Sequence, residues 1–170
     1  MMMLNPKIVF RGESAFVDNF KLFDVVLNNG ITLRVAIGGD GDKTPVLMVH
    51  GHPHTHVIWR KVAPALAKDR KVILVDLRGY GDSSKPESMP DHRPYSKREM
   101  ACDLQLMLQT LGIEQCDFVG HDRGGRVGHR FALDWPERVR RLVLSTSRRP
   151  LRCTSALTKN LRRVISGGFF

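Results

Sequence analysis

The stretch "VGHDRGGRVGH", residues 119–129, decides the fold and raises the question of what Asp122 does. Gly120, Asp122 and Gly124 have the spacing of a nucleophile elbow, a tight turn between a strand and a helix that raises one reactive side chain above the end of a sheet. The turn leaves little room for side chains at the two glycines. A carboxylate here could also be an ion-pair partner or a metal ligand, and the rest of the sequence has to distinguish these roles.

Apolar segments around this stretch alternate between strand-like and helix-like patterns. A hairpin is expected first, because "FDVVLNNG" (23–30) and "ITLRVAIGG" (31–39) meet at an Asn-Asn-Gly turn. Ser96 and Glu99 form a capping box before a helix that Gly112 ends. Buried parallel strands are predicted at 45–51, 70–79, 116–122 and 139–145, and helices at 57–69, 95–112 and 124–136. This order predicts an α/β fold, with a mostly parallel sheet covered by helices on both faces.

Length and charge narrow the class of protein. A chain of 170 residues can form one domain with a substantial core. The net charge is +10, but six basic and no acidic residues lie from Ser145 onward; the rest holds 21 basic and 17 acidic residues. Since no nucleic-acid-binding motif accompanies this charge, we expect no nucleic-acid partner.

The chain has no membrane-length apolar run and no signal-peptide pattern, so we expect a cytoplasmic protein without a membrane partner. The three cysteines lack metal-ligand spacing and are expected to be reduced.

An aspartate at the elbow favours substitution at a saturated carbon. A carboxylate can displace a leaving group from an sp³ carbon to form an alkyl ester, which water then hydrolyses. A serine would form an ether, which water does not cleave, so carbon–halogen bonds and epoxides are the expected substrates. Ester hydrolysis places negative charge on a carboxyl oxygen of Asp122. We expect the main-chain N–H groups of His52 and Arg123 to stabilise that charge.

Four segments together resemble the α/β-hydrolase superfamily and, more narrowly, the haloacetate (fluoroacetate) dehalogenases. They are "HGHPHTHVIWRKVAPALA" (50–67), "VDLRGYGDSSKP" (75–86), "YSKREMACDLQLMLQTLGI" (95–113) and "VGHDRGGRVGHRFALDWPERVRRLVLS" (119–145). The resemblance covers about residues 15–144. It implies Asp122 as the nucleophile, and Arg123 and Arg126 as a clamp on the carboxylate of a small haloacid substrate. It implies no cofactor, and it allows a homodimer in full-length members. Planar guanidinium groups suit a carboxylate and would offset its repulsion from Asp122.

Other interpretations of these residues remain open. Asp122 can form a structural ion pair with Arg123 or Arg126, and Arg126 can be an ordinary solvated helix residue. Epoxide hydrolases share the HG-x-P and RGYG-x-S patterns, although they usually carry Trp after the nucleophile. The alternating histidines of "HGHPHTH" (50–56) suggest a metal site, but no carboxylate or cysteine is close in sequence and we expect none. Three residues of "DLRGYGDSS" (76–84), at the end of the predicted 70–79 strand, are expected to brace the loop and not to take part in catalysis: Asp76, Arg78 and Ser83.

The segment from residue 145 onward departs from the family pattern. All seven histidines lie at or before His129, so none is left for the base that the family places beyond its last strand. Thr146 stands where the family has its acid. Suitable codons for "STSRRP" (145–150), read two bases further on, give Asp-Ile-Ala-Pro-Thr, which resembles the family. We therefore divide the chain into residues 1–144, the N-terminal part of an α/β-hydrolase domain, and residues 145–170, an aberrant basic tail that is out of frame. The alternative is a genuine basic tail.

The expected fold is thus an incomplete α/β-hydrolase: strands one to six, without the cap domain and the last strands. The expected function is haloacetate dehalogenation, in which Asp122 attacks the carbon–halogen bond and the ester is hydrolysed to a hydroxy acid. Because the base and the acid are missing, we expect this chain to form the ester once without turning over. The alternatives are an epoxide hydrolase of the same fold and a catalytically inactive fragment.

Overall fold

The computed structural model describes residues 7–145, which form a six-stranded sheet flanked by helices. The strands are β1 (Ile8–Glu13), β2 (Lys21–Val26), β3 (Thr32–Val49), β4 (Arg70–Val75), β5 (Cys116–His121) and β6 (Val139–Ser145). The helices are α1 (Ala63–Leu66), α2 (Lys97–Thr110) and α3 (Arg123–Asp134). The predicted out-of-frame tail begins at residue 145, and residues 146–170 lie outside the described residues. The division of the chain at residue 144 therefore stays a prediction.

An antiparallel hairpin opens the sheet, as predicted. β2 pairs with the first half of β3, from Lys21 opposite Ile37 to Val26 opposite Thr32. The turn between them reaches a positive φ of 80° at Gly30, a conformation that favours glycine. β1 pairs with the outer side of β2, also antiparallel.

The strands predicted at 31–39 and 45–51 are continuous as β3, an element of 18 residues, but they lie on either side of β4 as two segments of opposite direction. The bend between them is close to β4: a Cβ at Gly39 would lie 2.2 Å from the carbonyl oxygen of Arg70. β4 pairs with both halves of β3. Residues 35–38 run in the opposite direction to β4, whereas residues 46–49 run in the same direction. The second half of β3 also pairs in parallel with β5, and β5 with β6. The predicted parallel strands therefore end at one common edge.

The helix predicted at 57–69 is wrong as a single element. The chain instead forms a 3₁₀ turn at His56–Trp59 and then the one-turn helix α1. Pro64 lies in the first positions of α1. Because proline has no N–H to donate to an earlier carbonyl, it starts a new turn and cannot continue an existing helix.

Helix α2 confirms the strongest helix prediction, with its cap half formed. The Ser96 Oγ accepts a 3.2 Å hydrogen bond from the N–H of Glu99, as a capping box requires. The N–H of Ser96 donates to the carbonyl oxygen of Arg93 and not to the Glu99 side chain. The chain leaves the helix at Gly112, where φ is +69°.

Two apolar layers cover the sheet, as the alternating pattern predicts for α/β folds. Along β3, Leu47 and Val49 pack into the layer under α2 and α3, while Val46 and Met48 pack into the layer beside α1. The second layer is covered by short elements where a full helix was expected. Within residues 7–145, no helix is long and apolar enough to cross a membrane.

Candidate active site

Three strands end together at the edge where open parallel sheets place their ligands. β3 continues into His50 and Gly51, β4 into Asp76, and β5 into Asp122. The sequence predicts this meeting, since each of these residues follows an apolar run. Asp76 and Asp122 are therefore carboxylates at neighbouring strand ends, and their surroundings differ.

The turn at Asp122 has the geometry of a nucleophile elbow. Asp122 adopts φ 47° and ψ −108°, a strained conformation for a residue with a side chain. A Cβ at Gly120 would lie 2.5 Å from the carbonyl oxygen of Gly124, and one at Gly124 would lie 2.2 Å from that of Val49. A Cβ at Gly51 would come within 2.6 Å of the Cβ of Asp122. Glycine at these three positions lets β3, β5 and α3 converge beneath the carboxylate.

The Asp122 carboxylate is half-buried and receives main-chain donors. The N–H of His52 donates to its Oδ2 at 3.3 Å. Partial burial works to raise the pKa of Asp122, but the main-chain N–H groups of Arg123 and His52, with the charge of Arg126, hold this pKa below its ordinary value. Within residues 7–145, no cation lies within ion-pair distance of the carboxylate, which disfavours the structural ion-pair interpretation.

Three cations of the described part of the chain lie near this carboxylate: Arg123, Arg126 and Lys97. Arg123 is half-buried, with its guanidinium carbon 5.8 Å from the centre of the Tyr80 ring, whereas the side chain of Arg126 is exposed. Lys97, the first residue of α2, is also half-buried; burial and then the charges of Arg123 and Arg126 lower the pKa of its ammonium group. None of these three cations has a carboxylate at ion-pair distance in the described part of the chain. The local charge is therefore positive around one carboxylate.

The histidines of residues 50–56 have separate partners. His50 and His56 are buried, and the Nδ1 of His56 lies 3.0 Å from Asp76 Oδ1. The exposed His52 ring places its Nδ1 3.2 Å from the hydroxyl of Tyr80, and His54 lies beside His121 with ring centres 6.0 Å apart. Among residues 7–145, no three potential ligands come together as a metal site.

The loop after β4 confirms the predicted bracing roles of Asp76, Arg78 and Ser83. Asp76 is 1% exposed, and its Oδ1 accepts the N–H of His56 at 2.6 Å. The Ser83 hydroxyl donates to the carbonyl oxygen of Asp76 at 2.6 Å. Arg78 forms a buried two-bond ion pair with Asp103 of α2, with both distances 2.5 Å.

Sequence reasoning misses three residues of the site. Tyr80 and Lys97 lie 42 and 25 positions before Asp122, and only the packing of α2 and the β4 loop brings them there. His50 is hidden by its apolar strand. The sequence holds one signal for Lys97. It places a cation at the first position of a helix capped by Ser96, where the helix dipole does not stabilise positive charge, and this suggests a role outside the helix.

Comparisons with known proteins agree with this geometry. A family model described as the alpha/beta hydrolase fold matches residues 44–165. The chain belongs to this family. It is 48% identical over 114 residues to a fluoroacetate dehalogenase from Burkholderia sp., covering 67% of this chain and 37% of that protein. It is 39% identical over 116 residues to a soluble epoxide hydrolase from Corynebacterium sp., covering 68% of this chain and 38% of that protein.

A solved structure from Salmonella enterica, described as a candidate acyltransferase, is 57% identical with a TM-score of 0.78. The match covers 80% of this chain and 44% of that one. The α/β-hydrolase fold and the resemblance to haloacetate dehalogenases are thus confirmed. This chain spans less than half the length of the relatives that it matches here.

Proposed function

We propose that this site carries out the ester-forming half of haloacetate dehalogenation. Asp122 Oδ1 attacks the carbon that bears the halogen, the carbon–halogen bond breaks, and halide leaves with the bonding electrons. Water then attacks Cγ of the ester, which returns the carboxylate and releases a hydroxy acid and a proton. The observation that carries the proposal is a carboxylate held by main-chain N–H donors beside Arg123 and Arg126, with no ion pair to any of these three side chains among residues 7–145.

The charge around Asp122 supports an anionic substrate. Arg123, Arg126 and Lys97 together leave an excess of positive charge that a substrate carboxylate would neutralise. A neutral epoxide offers these cations no partner. The higher identity to the fluoroacetate dehalogenase than to the epoxide hydrolase points the same way. Acyl transfer is disfavoured, because a carboxylate that attacks an acyl group forms an anhydride and not a stable acyl-enzyme.

The ester-hydrolysis step needs a base, which the family supplies from a histidine that has no counterpart in residues 130–170. For residues 1–170 as given, we propose that the ester forms and then decays by reaction with hydroxide from the solvent. A second candidate function is epoxide opening by the same carboxylate, favoured by the Corynebacterium relative.

Mass spectrometry of the intact chain and of its peptides tests the proposal. The chain is incubated with chloroacetate, its neutral isostere chloroacetamide or 1,2-epoxypropane, quenched in acid, and the modified residue is mapped. We expect a carboxymethyl ester on Asp122, formed faster with chloroacetate than with the two neutral reagents. A preference for the epoxide would contradict the dehalogenase proposal and favour an epoxide hydrolase. If no reagent forms an adduct on Asp122, the remaining interpretation is a catalytically inactive fragment.

A matched pair of arginine variants tests the clamp. Arg126→Gln should slow ester formation with chloroacetate by about fivefold or more, without slowing chloroacetamide, because only the anion loses an ionic partner. Arg141→Gln is the control: Arg141 is exposed, and its main chain lies opposite that of Asp117, near the start of β5 and so at the end of the strand away from Asp122. Equal losses with both reagents in Arg126→Gln would contradict the clamp.

A further inference from the structure

His50 is a buried polar residue that the proposed reaction does not use. Its side chain is fully buried, directly after β3. Its Nε2 lies 3.1 Å from the N–H of Leu77, and its Nδ1 lies 2.8 Å from the carbonyl oxygen of Gly51. The N–H of Leu77 can only donate and the Gly51 oxygen can only accept. These two contacts therefore require a neutral imidazole that carries its proton on Nδ1.

The Gly51 oxygen and the His52 N–H belong to one peptide unit. A peptide is planar and trans, so its C=O and N–H point in opposite directions. The Gly51 oxygen accepts from His50 and also from the N–H of His54 at 2.9 Å. Fixing the oxygen fixes the direction of the N–H, which reaches Asp122 Oδ2 at 3.3 Å.

We infer that His50 is a positioning residue, which orients the Gly51–His52 peptide so that its N–H serves the carboxyl oxygen of Asp122. The inference rests on the proposed function, because the N–H gains its catalytic value when charge develops on that oxygen. Leu77 in turn fixes the imidazole, so the loop after β4 supports the elbow after β5 through one side chain.

The charged and titratable groups around His50 are compatible with a neutral ring. Asp76 Oδ1 lies 4.0 Å from Nε2, and the ring of Tyr80 stands edge-on with centres 5.0 Å apart. Burial lowers the pKa of His50 and outweighs the hydrogen bond to Gly51 and the charge of Asp76, which raise it, while His56 and His54 lower this pKa further. The imidazole is thus neutral at pH 7 and free to donate from Nδ1.

Two amide variants separate the two hydrogen bonds of His50. In His50→Asn the side-chain amide occupies the place of Nδ1 and can still donate to Gly51, whereas in His50→Gln the amide reaches the place of Nε2 and loses that donor. We expect the decay of the Asp122 ester, which passes through the charged oxygen, to slow by about tenfold or more in His50→Gln. His50→Asn should stay within about threefold of wild type, and ester formation should change less than ester decay in both.

NMR gives a readout that needs no reaction. In the wild-type chain, imidazole ¹⁵N shifts at pH 7 should show His50 protonated on Nδ1, and Asp122→Asn should move the His52 amide resonance. This response should persist in His50→Asn and vanish in His50→Gln. If the wild type forms no ester, the proposed function is wrong, and the NMR response still decides the positioning role. An Nε2–H tautomer, or equal behaviour of the two amide variants, would overturn that role.

Discussion

The turns after β4 and β5 place a carboxylate at the same edge of the sheet and use it differently. Asp76 is enclosed, with the N–H and Nδ1 of His56 both against its Oδ1. Asp122 is half-buried and receives main-chain N–H groups, and within residues 7–145 the cations beside it have no carboxylate at ion-pair distance. The difference lies in burial and donors: Asp76 is closed off from solvent and bonded by a side chain as well as the main chain, whereas Asp122 stays partly open to solvent and is bonded by main-chain N–H groups. Two carboxylates at one edge of the sheet therefore have different partners, and we expect their roles to differ accordingly.

Asp122→Asn should produce the largest effect on the chemistry and only a small one on stability. Loss of the nucleophilic oxygen should reduce ester formation at residue 122 by at least about a thousandfold. The free energy of unfolding should fall by no more than about 1 kcal/mol, because the amide oxygen can still accept the main-chain N–H groups although it no longer carries the charge that they stabilise. Peptide mapping and urea denaturation measure the two quantities. An undiminished adduct elsewhere in the site would show that another group is the nucleophile.

The glycines of the elbow provide the next test. Gly124→Ala should destabilise the chain by about 3 kcal/mol and suppress ester formation, because its Cβ would lie 2.2 Å from the carbonyl oxygen of Val49. Gly125→Ala is the matched control one residue on: its Cβ would have 3.4 Å to the nearest atom, the carbonyl oxygen of Gly120. This control should stay within about 1 kcal/mol, helped by the better helix propensity of alanine.

Both variants are compared by thermal and urea denaturation. Equal stability of Gly124→Ala and Gly125→Ala would contradict the close approach of α3 to β3. Loss of ester formation in both, at temperatures where both are folded, would show that the chemistry depends on the helix as a whole and not on the elbow.

Asp76→Asn should have the opposite profile to Asp122→Asn. Removing the charge that accepts two hydrogen bonds from His56 should cost about 2 kcal/mol in the free energy of unfolding, since bonds to buried charged groups contribute about 1.5–3 kcal/mol each and the amide oxygen can keep part of them. Ester formation at Asp122 should continue in the folded fraction. Complete loss of ester formation in a folded Asp76→Asn chain would show that the two turns are not separable.

Local patterns predict the parts of this molecule that local chemistry dictates. The elbow glycines, the α2 cap at Ser96 and the apolar strands are readable from their neighbours in sequence, and the structure confirms them. No local pattern indicates the close approach of Arg70, at the start of β4, to Gly39. The same holds for Lys97 and His50, because their roles arise only when separate strands and helices meet. The assignment of residues to catalytic roles stays a prediction.

Acid should distinguish the two carboxylates by their different environments. The pKa of each is held below the ordinary 3.8, that of Asp76 by the bonds and charge of His56 against its burial, and that of Asp122 by main-chain donors and Arg126 against its burial. A lowered pKa means that the ionised form, and the stability that depends on it, persists above 3.8 and is lost as the pH falls through the folded-state value. Ester formation should therefore keep more than half of its neutral rate at pH 3.8, measured where circular dichroism shows folded chain.

The smallest expected effect is that of Arg126 on the pH dependence of ester formation. Arg126→Gln should move the midpoint of ester formation upward by less than about one pH unit, because an exposed guanidinium is screened by solvent. Chloroacetamide is the reagent for this measurement, since it isolates the ionisation of Asp122 from the binding of an anionic substrate. Arg141→Gln should leave the midpoint unchanged. A wild-type midpoint above 3.8 would mean that burial outweighs the main-chain donors, and Asp122 would then resemble a buried acid more than a prepared nucleophile.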